Sequence, residues 1–208
     1  VPGVEVSVTH VGGEYHLACY GFDPSHEDMQ TITEGNRRIR DTFNRDLIVY
    51  ASEIYEAVSI EDYEAYTHQR KRGGWKALWY LMDRRIIGDI WEFFPLAMGR
   101  GEPMVFPSPE ETIGRLHQAG ARVMLAHPSV YGRSRMEEAA LDRWAAMGLD
   151  GFECFSSQVT EADSRYYVEY CDRKGLMITG GSDCHGRFVD RPLGEPRITL
   201  DDIRVDFL

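Results

Sequence analysis

The stretch "SPEETIGRLHQAGARVMLAHP" (108–128) places a helix and a strand in succession, and its reading decides the fold. Ser108-Pro109-Glu110-Glu111 is a helix start with acids in the first turn. Ile113, Leu116 and His117 recur at helical spacing, and Gly120 stops the helix before the short apolar strand "RVMLAH" (122–127). The unit repeats downstream. "MEEAALDRWAAMG" (136–148) is a helix with Ala139, Ala140, Trp144 and Met147 on its apolar side, followed by the strand "GFECF" (151–155). "TEADSRYYVEYCDRKG" (160–175) and "LMITGGSD" (176–183) give the next helix and strand. Such alternation with short connections predicts parallel strands joined by helical crossovers. Sites in folds of that kind gather at strand C-termini. His127, Glu153 and the pair Asp183–His185 all lie at or near those ends.

Upstream the pattern differs. "GVEVSVTHVGGEYHLACYGFD" (3–23) alternates on both sides of Gly12-Gly13, a hairpin signal that puts Glu5 and Ser7 on one face and Val4 and Val6 on the other. Residues 25–104 read as a helical insert, with short helices joined by "KRGG" and "MGRGEP" fitting better than one long helix. The core is then expected to be 1–24 and 105–208.

A chain of 208 residues with 43% hydrophobic and 27% charged residues can bury one sizeable core. A net charge of −11 repels polyanions, so duplex nucleic acid is not an expected partner. The basic run "HQRKRGGWK" (68–76) stands against that charge, as a solvated helix end or a patch for substrate phosphate. Neither a run of about 18 apolar residues nor a signal-peptide pattern is present, so a cytoplasmic protein without a membrane partner is expected. The four cysteines lack CxxC spacing, and Cys19, Cys154 and Cys184 read as small buried hydrophobes.

In "ITGGSDCHGRF" (178–188) Asp183 and His185 stand two apart as a strand ends, and in an extended segment they would present oxygen and nitrogen to one point. With Glu5, His16 and His127 they make a set of carboxylates and imidazoles suited to Zn, Mn or Fe. Each also has an ordinary reading: Glu5 as an exposed strand residue, His16 as a half-buried one, His127 fixing a turn before Pro128, and Ser182-Asp183 as a cap or turn.

Taken in order, "PGVEVS", His16 in "HLACYGFD", "VMLAHP" and "GGSDCHG" resemble the polymerase and histidinol phosphatase (PHP) family of metal-dependent phosphoesterases, in its nucleotide-phosphatase and exoribonuclease branch. The resemblance covers residues 1–24 and about 105–195. It implies an incomplete, distorted TIM-like (β/α)7-type barrel holding up to three divalent ions (Mn, Zn or Fe), with the helical insert set into it. Under it Glu5, His16, His127, Asp183 and His185 are metal ligands, and Glu5, Asp183 and His185 serve catalysis. Ser182 and Arg133 would bind the substrate, although Arg133 also reads as a surface arginine. The implied activity is hydrolysis of nucleotide phosphomonoesters or short oligonucleotide ends by a metal-activated water.

The family's opening His-x-His is not found, and His10 and His26 both follow Glu5. An amino-terminally shortened chain is the expected cause; a degenerate relative, or a segment supplied by another polypeptide, are the others. Fewer ions than in the intact family site are then expected, and exposed strand edges make a homodimer plausible. The alternative function is a domain that binds metal incompletely and does not catalyse. A metal-dependent amidohydrolase is a third reading, which lacks a strand lysine for carbamylation between Glu5 and His127.

Overall fold

The computed structural model describes every residue except Arg133, Arg187, Asp190 and Leu208. The chain opens with strands β1 (Gly3–His10) and β2 (Gly13–Tyr20), then helices α1 (Glu27–Ile54), α2 (Ile60–Ala65), α3 (Lys76–Asp83) and α4 (Ile90–Gly99). Helix α5 (Pro109–Gln118), β3 (Arg122–Leu125), α6 (Glu138–Ala146), β4 (Gly151–Ser156), α7 (Glu161–Lys174) and β5 (Met177–Gly181) complete it. Two compact units result: Val1–Asn36 with Val105–Asp183 and Leu193–Leu208, and Arg37–Met104 with Cys184–Pro192.

The first unit is built on a five-stranded sheet in the order β1-β2-β3-β4-β5. β1 and β2 form an antiparallel hairpin, β2 pairs antiparallel with β3, and β3, β4 and β5 are parallel with α6 and α7 as crossovers. The hairpin turn falls on Val11 and Gly12, both at positive φ, one residue earlier than the glycine pair suggested. Two positive φ angles match the right-handed twist of the strands, and Gly12 takes its angle without a Cβ penalty.

The expected barrel is not what the described residues form. Closure requires hydrogen bonds between the first and last strands, and here β1 and β5 are the edges of an open sheet. The β1 edge is partly covered: Ser7 N–H donates to the Asn36 side chain at 2.6 Å, and Thr9 N–H to the Pro107 carbonyl at 3.2 Å.

Strand alternation divides the residues of this sheet. Val6, Leu17, Val123, Leu125, Phe152 and Ile178 point to one face and join Leu116, Trp144 and Tyr167 from the helices in the main core. Burying each large side chain is worth about 1.5–3 kcal/mol, which holds α5, α6 and α7 against that face. Glu5, Ser7, His16, Glu153 and Thr179 occupy alternate positions and fall on the other. The helices end as their sequences require: Ser108 and Thr160 side chains accept the Glu111 and Asp163 N–H groups, and Gly175 closes α7 in the left-handed region.

The second unit is helical among its described residues and has its own core, with Leu47, Ile48, Leu78, Tyr80 and Leu81 fully buried. Helix α1, which belongs to this unit from Arg37 onward, runs unbroken for 28 residues, longer than the short helices expected, and only α2 to α4 are short. No helix is long and apolar enough to cross a membrane. Within the basic run, Arg72 grips Asp83 bidentately at 2.7 and 2.8 Å and lies over the Trp79 ring, so this cation has a structural role. Cys19, Cys154 and Cys171 are buried, whereas Cys184 is exposed because β5 ends at Gly181.

Candidate metal centre

Glu5, His16 and His127 meet. Their candidate ligand atoms all lie within 4.8 Å of one another. In the hairpin register Ser7 faces His16 and Glu5 faces Ala18, so Glu5 and His16 are diagonal neighbours on one face. His16 Nδ1 lies 2.7 Å from Glu5 Oε1. His127 stands two residues beyond β3, and its Nε2 is 3.6 Å from the same oxygen and 3.3 Å from His16 Nδ1.

His127 is held by an unusual backbone. Its φ of 31° is rare for a residue with a side chain, and it precedes Pro128, which further restricts it. Its N–H donates to Glu153 Oε2 at 2.7 Å, and Glu153 is only 7% exposed. Tyr131 clamps the region: its hydroxyl accepts the His16 N–H at 2.8 Å and donates to the Ala126 carbonyl at 3.0 Å. On the far side of the His16 ring, Nε2 lies 3.0 Å from Glu14 Oε1, which also accepts the Ser7 hydroxyl at 2.8 Å.

Electrostatics follow from this packing. Burial disfavours charge on Glu5, yet bonds from His127 and His16 outweigh it and hold the carboxyl well below its usual range. Burial likewise opposes charge on His16, but Glu14 and Glu5 on either side raise it to about 9. Glu153 goes the other way, to about 8, because burial dominates the His127 N–H bond and the charges of Glu5 and Asp183 add to it.

A cleft of about 270 Å³ is lined by Glu5, His127, Glu153 and Asp183 together with Gly3, Val4, Ala18 and Tyr20. A Cβ at Gly181, the last residue of β5, would lie 3.1 Å from Glu153 Oε1, so a side chain there would press on that carboxyl. Asp183 accepts from Gln158 Nε2 at 2.7 Å.

The expected single face for Asp183 and His185 does not form. The strand ends at Gly181 and Asp183 turns into the left-handed region with φ 47°, so two-residue alternation no longer applies. His185 belongs to the second unit, exposed, its ring edge-on to Phe188 at 6.1 Å. Ser182 is half-buried and its carbonyl accepts the Ser157 hydroxyl at 2.9 Å. Arg133 lies outside the described residues.

The donor set fits a cation. Two imidazole nitrogens and a carboxylate oxygen are a combination suited to Zn, Mn or Fe. His127 Nδ1 is buried without a hydrogen-bond partner among the described residues, so what orients this ring lies on its Nε2 side, toward Glu5.

Glu14 was not among the sequence-derived site residues. Its signal was its place two before His16, on the same strand face. Glu153 was noted at a strand end, but a bond to the backbone of another strand has no sequence signature.

No family model matches the sequence. A 3′,5′-nucleoside bisphosphate phosphatase of Chromobacterium violaceum is 31% identical over 112 residues, 51% of this chain and 39% of that protein. The chain thus spans less than half the length of this curated relative. A crystal structure from Bifidobacterium adolescentis, named provisionally as a metal-dependent phosphoesterase, aligns with TM-score 0.79 at 23% identity, covering 96% of this chain and 73% of that one. A Chromobacterium violaceum protein named an amidohydrolase, solved with bound sulfate and no metal, aligns with TM-score 0.66 at 24% identity over 91% and 71% of the two chains. These two structures share the fold. None of the five strands described above carries a lysine.

Proposed function

We propose that this chain carries the core of a metal-dependent phosphoesterase of the PHP type, acting on phosphomonoesters of nucleotides or on short oligonucleotide ends. The observation that carries the reading is the convergence of Glu5, His16 and His127 from separate strands and the loop after β3 onto one point. The name of the curated relative and the shared fold support it.

Divalent cations (Mn, Zn or Fe) held there would supply Lewis acidity to the phosphoryl oxygens and lower the pKa of a bound water. Glu5 and Asp183 bring negative charge to the cleft, and His16 and His127 bring nitrogen donors. Glu153 sets the His127 backbone, and Gln158 orients Asp183. Ser182 and Arg133 are assigned to the substrate, Arg133 as a bidentate phosphate clamp soon after His127 in the sequence, and His185 to the ligand set, on the spacing of the Asp-x-His motif. An incomplete, distorted TIM-like barrel, a homodimer and a cytoplasmic setting belong to the same reading.

The test is phosphate release from nucleoside mono- and bisphosphates and short RNA in the presence of Mn²⁺. Release that is lost in Glu5→Gln is expected. No release from any of these substrates by a chain that binds Mn²⁺ overturns the enzymatic reading in favour of a non-catalytic metal-binding domain.

A further inference from the structure

Resting on the metal reading of this site, we propose that Glu14 is a positioning residue that fixes which nitrogen of His16 faces the cation. His16 is held between two carboxylates on opposite sides of its ring: Nδ1 lies 2.7 Å from Glu5 and Nε2 lies 3.0 Å from Glu14. An ionised carboxylate only accepts hydrogen bonds, so the metal-free ring donates on both sides, from Nδ1 to Glu5 and from Nε2 to Glu14; a cation bound beside Glu5 would displace the Nδ1 proton and leave the Nε2–H donating to Glu14. A ring protonated there offers its lone pair at Nδ1 alone, and Nδ1 is the atom 3.3 Å from His127 Nε2 at the centre of the cluster.

The hairpin itself builds this arrangement. Glu14 and His16 are two apart on β2 and share a face, and Ser7 stands opposite His16 on β1. The Ser7 hydroxyl donates to the same Glu14 oxygen at 2.8 Å, which fixes the carboxylate that in turn fixes the ring. Glu14 does not belong to the Glu5–His16–His127 group and lines a separate cleft of about 390 Å³ with His16, His127 and Tyr131. It acts through His16. The two imidazoles then bind through unlike atoms, Nδ1 of His16 and Nε2 of His127. Carboxylates that orient a ligating histidine in this way typically contribute ten- to hundredfold to metal affinity.

The experiment has two arms. In long-range proton–nitrogen spectra of the Zn²⁺-loaded chain, His16 is expected to keep its proton on Nε2 while Nδ1 shows the metal shift. A metal shift on His16 Nε2 overturns the proposal. In Co²⁺ titrations followed by visible absorption, Glu14→Ala is expected to weaken binding about ten- to hundredfold, and Glu14→Gln, which keeps a carbonyl acceptor, to recover most of it. Unchanged Co²⁺ affinity in Glu14→Ala overturns the role of Glu14 while leaving the metal centre standing. Absence of Co²⁺ binding by the wild-type chain overturns the metal reading itself. The nitrogen spectra use only the wild type and decide the matter if the alanine variant does not fold.

Discussion

The two halves of the sheet deliver their site residues by different means. In the antiparallel half, β1 and β2 place Glu5, Glu14 and His16 by strand alternation and hairpin register, within the twelve residues 5–16. In the parallel half, β4 places Glu153 by alternation within the strand, and not at its end as the sequence suggested, whereas His127 and Asp183 lie beyond the ends of β3 and β5 and adopt left-handed backbone angles. A regular strand aims side chains by its pleat. A strand end aims them through loop conformations that neighbouring strands must hold, as Glu153 holds His127.

The largest test strikes where the halves join. Leu125 pairs with Leu17 on one side and Phe152 on the other, and all three are fully buried. Leu125→Ala should cost about 2–5 kcal/mol in urea unfolding, with the hairpin and the parallel strands losing structure together. Separate transitions would show that the halves fold independently.

Metal binding should couple the halves as well. A divalent ion at a hundredfold over its dissociation constant stabilises by about 2.7 kcal/mol. Chelation should remove that gain from the wild type, and both Glu5→Gln and His127→Ala should abolish it, one from each half. A gain that survives in His127→Ala would reduce the centre to the hairpin alone.

Glu153→Ala tests the parallel half by itself. It strands the buried His127 N–H, at a cost of about 1–3 kcal/mol, and Glu153→Gln, which keeps an acceptor, should restore most of it in thermal melts. An alanine variant as stable as the wild type would mean that the backbone angle of His127 needs no support from Glu153.

The smallest effect belongs to the hairpin turn. Gly12 has φ 76°, and a Cβ added there would meet nothing within 4 Å, so Gly12→Ala should cost only the backbone term, about 1 kcal/mol. A much larger loss would mean the turn, and not the register, sets the geometry of Glu5 and His16.

The sequence by itself determined the order of strands and helices, the hairpin and the shared face of Glu5 and Ser7, because these follow from periodicities of two and 3.6 residues and from caps within a few positions. It also pointed to His127, through its place at a strand end. Tertiary structure alone decided that the sheet stays open among the described residues, and that His127 reaches His16 across 111 positions of chain. Only there did Asp183 turn out of the strand pattern and Glu14 and Glu153 take up their partners. The physical reason is range. Alternation is a local property of a backbone, whereas a hydrogen bond between strand ends, and the strained angle it sustains, exist only once distant segments have packed.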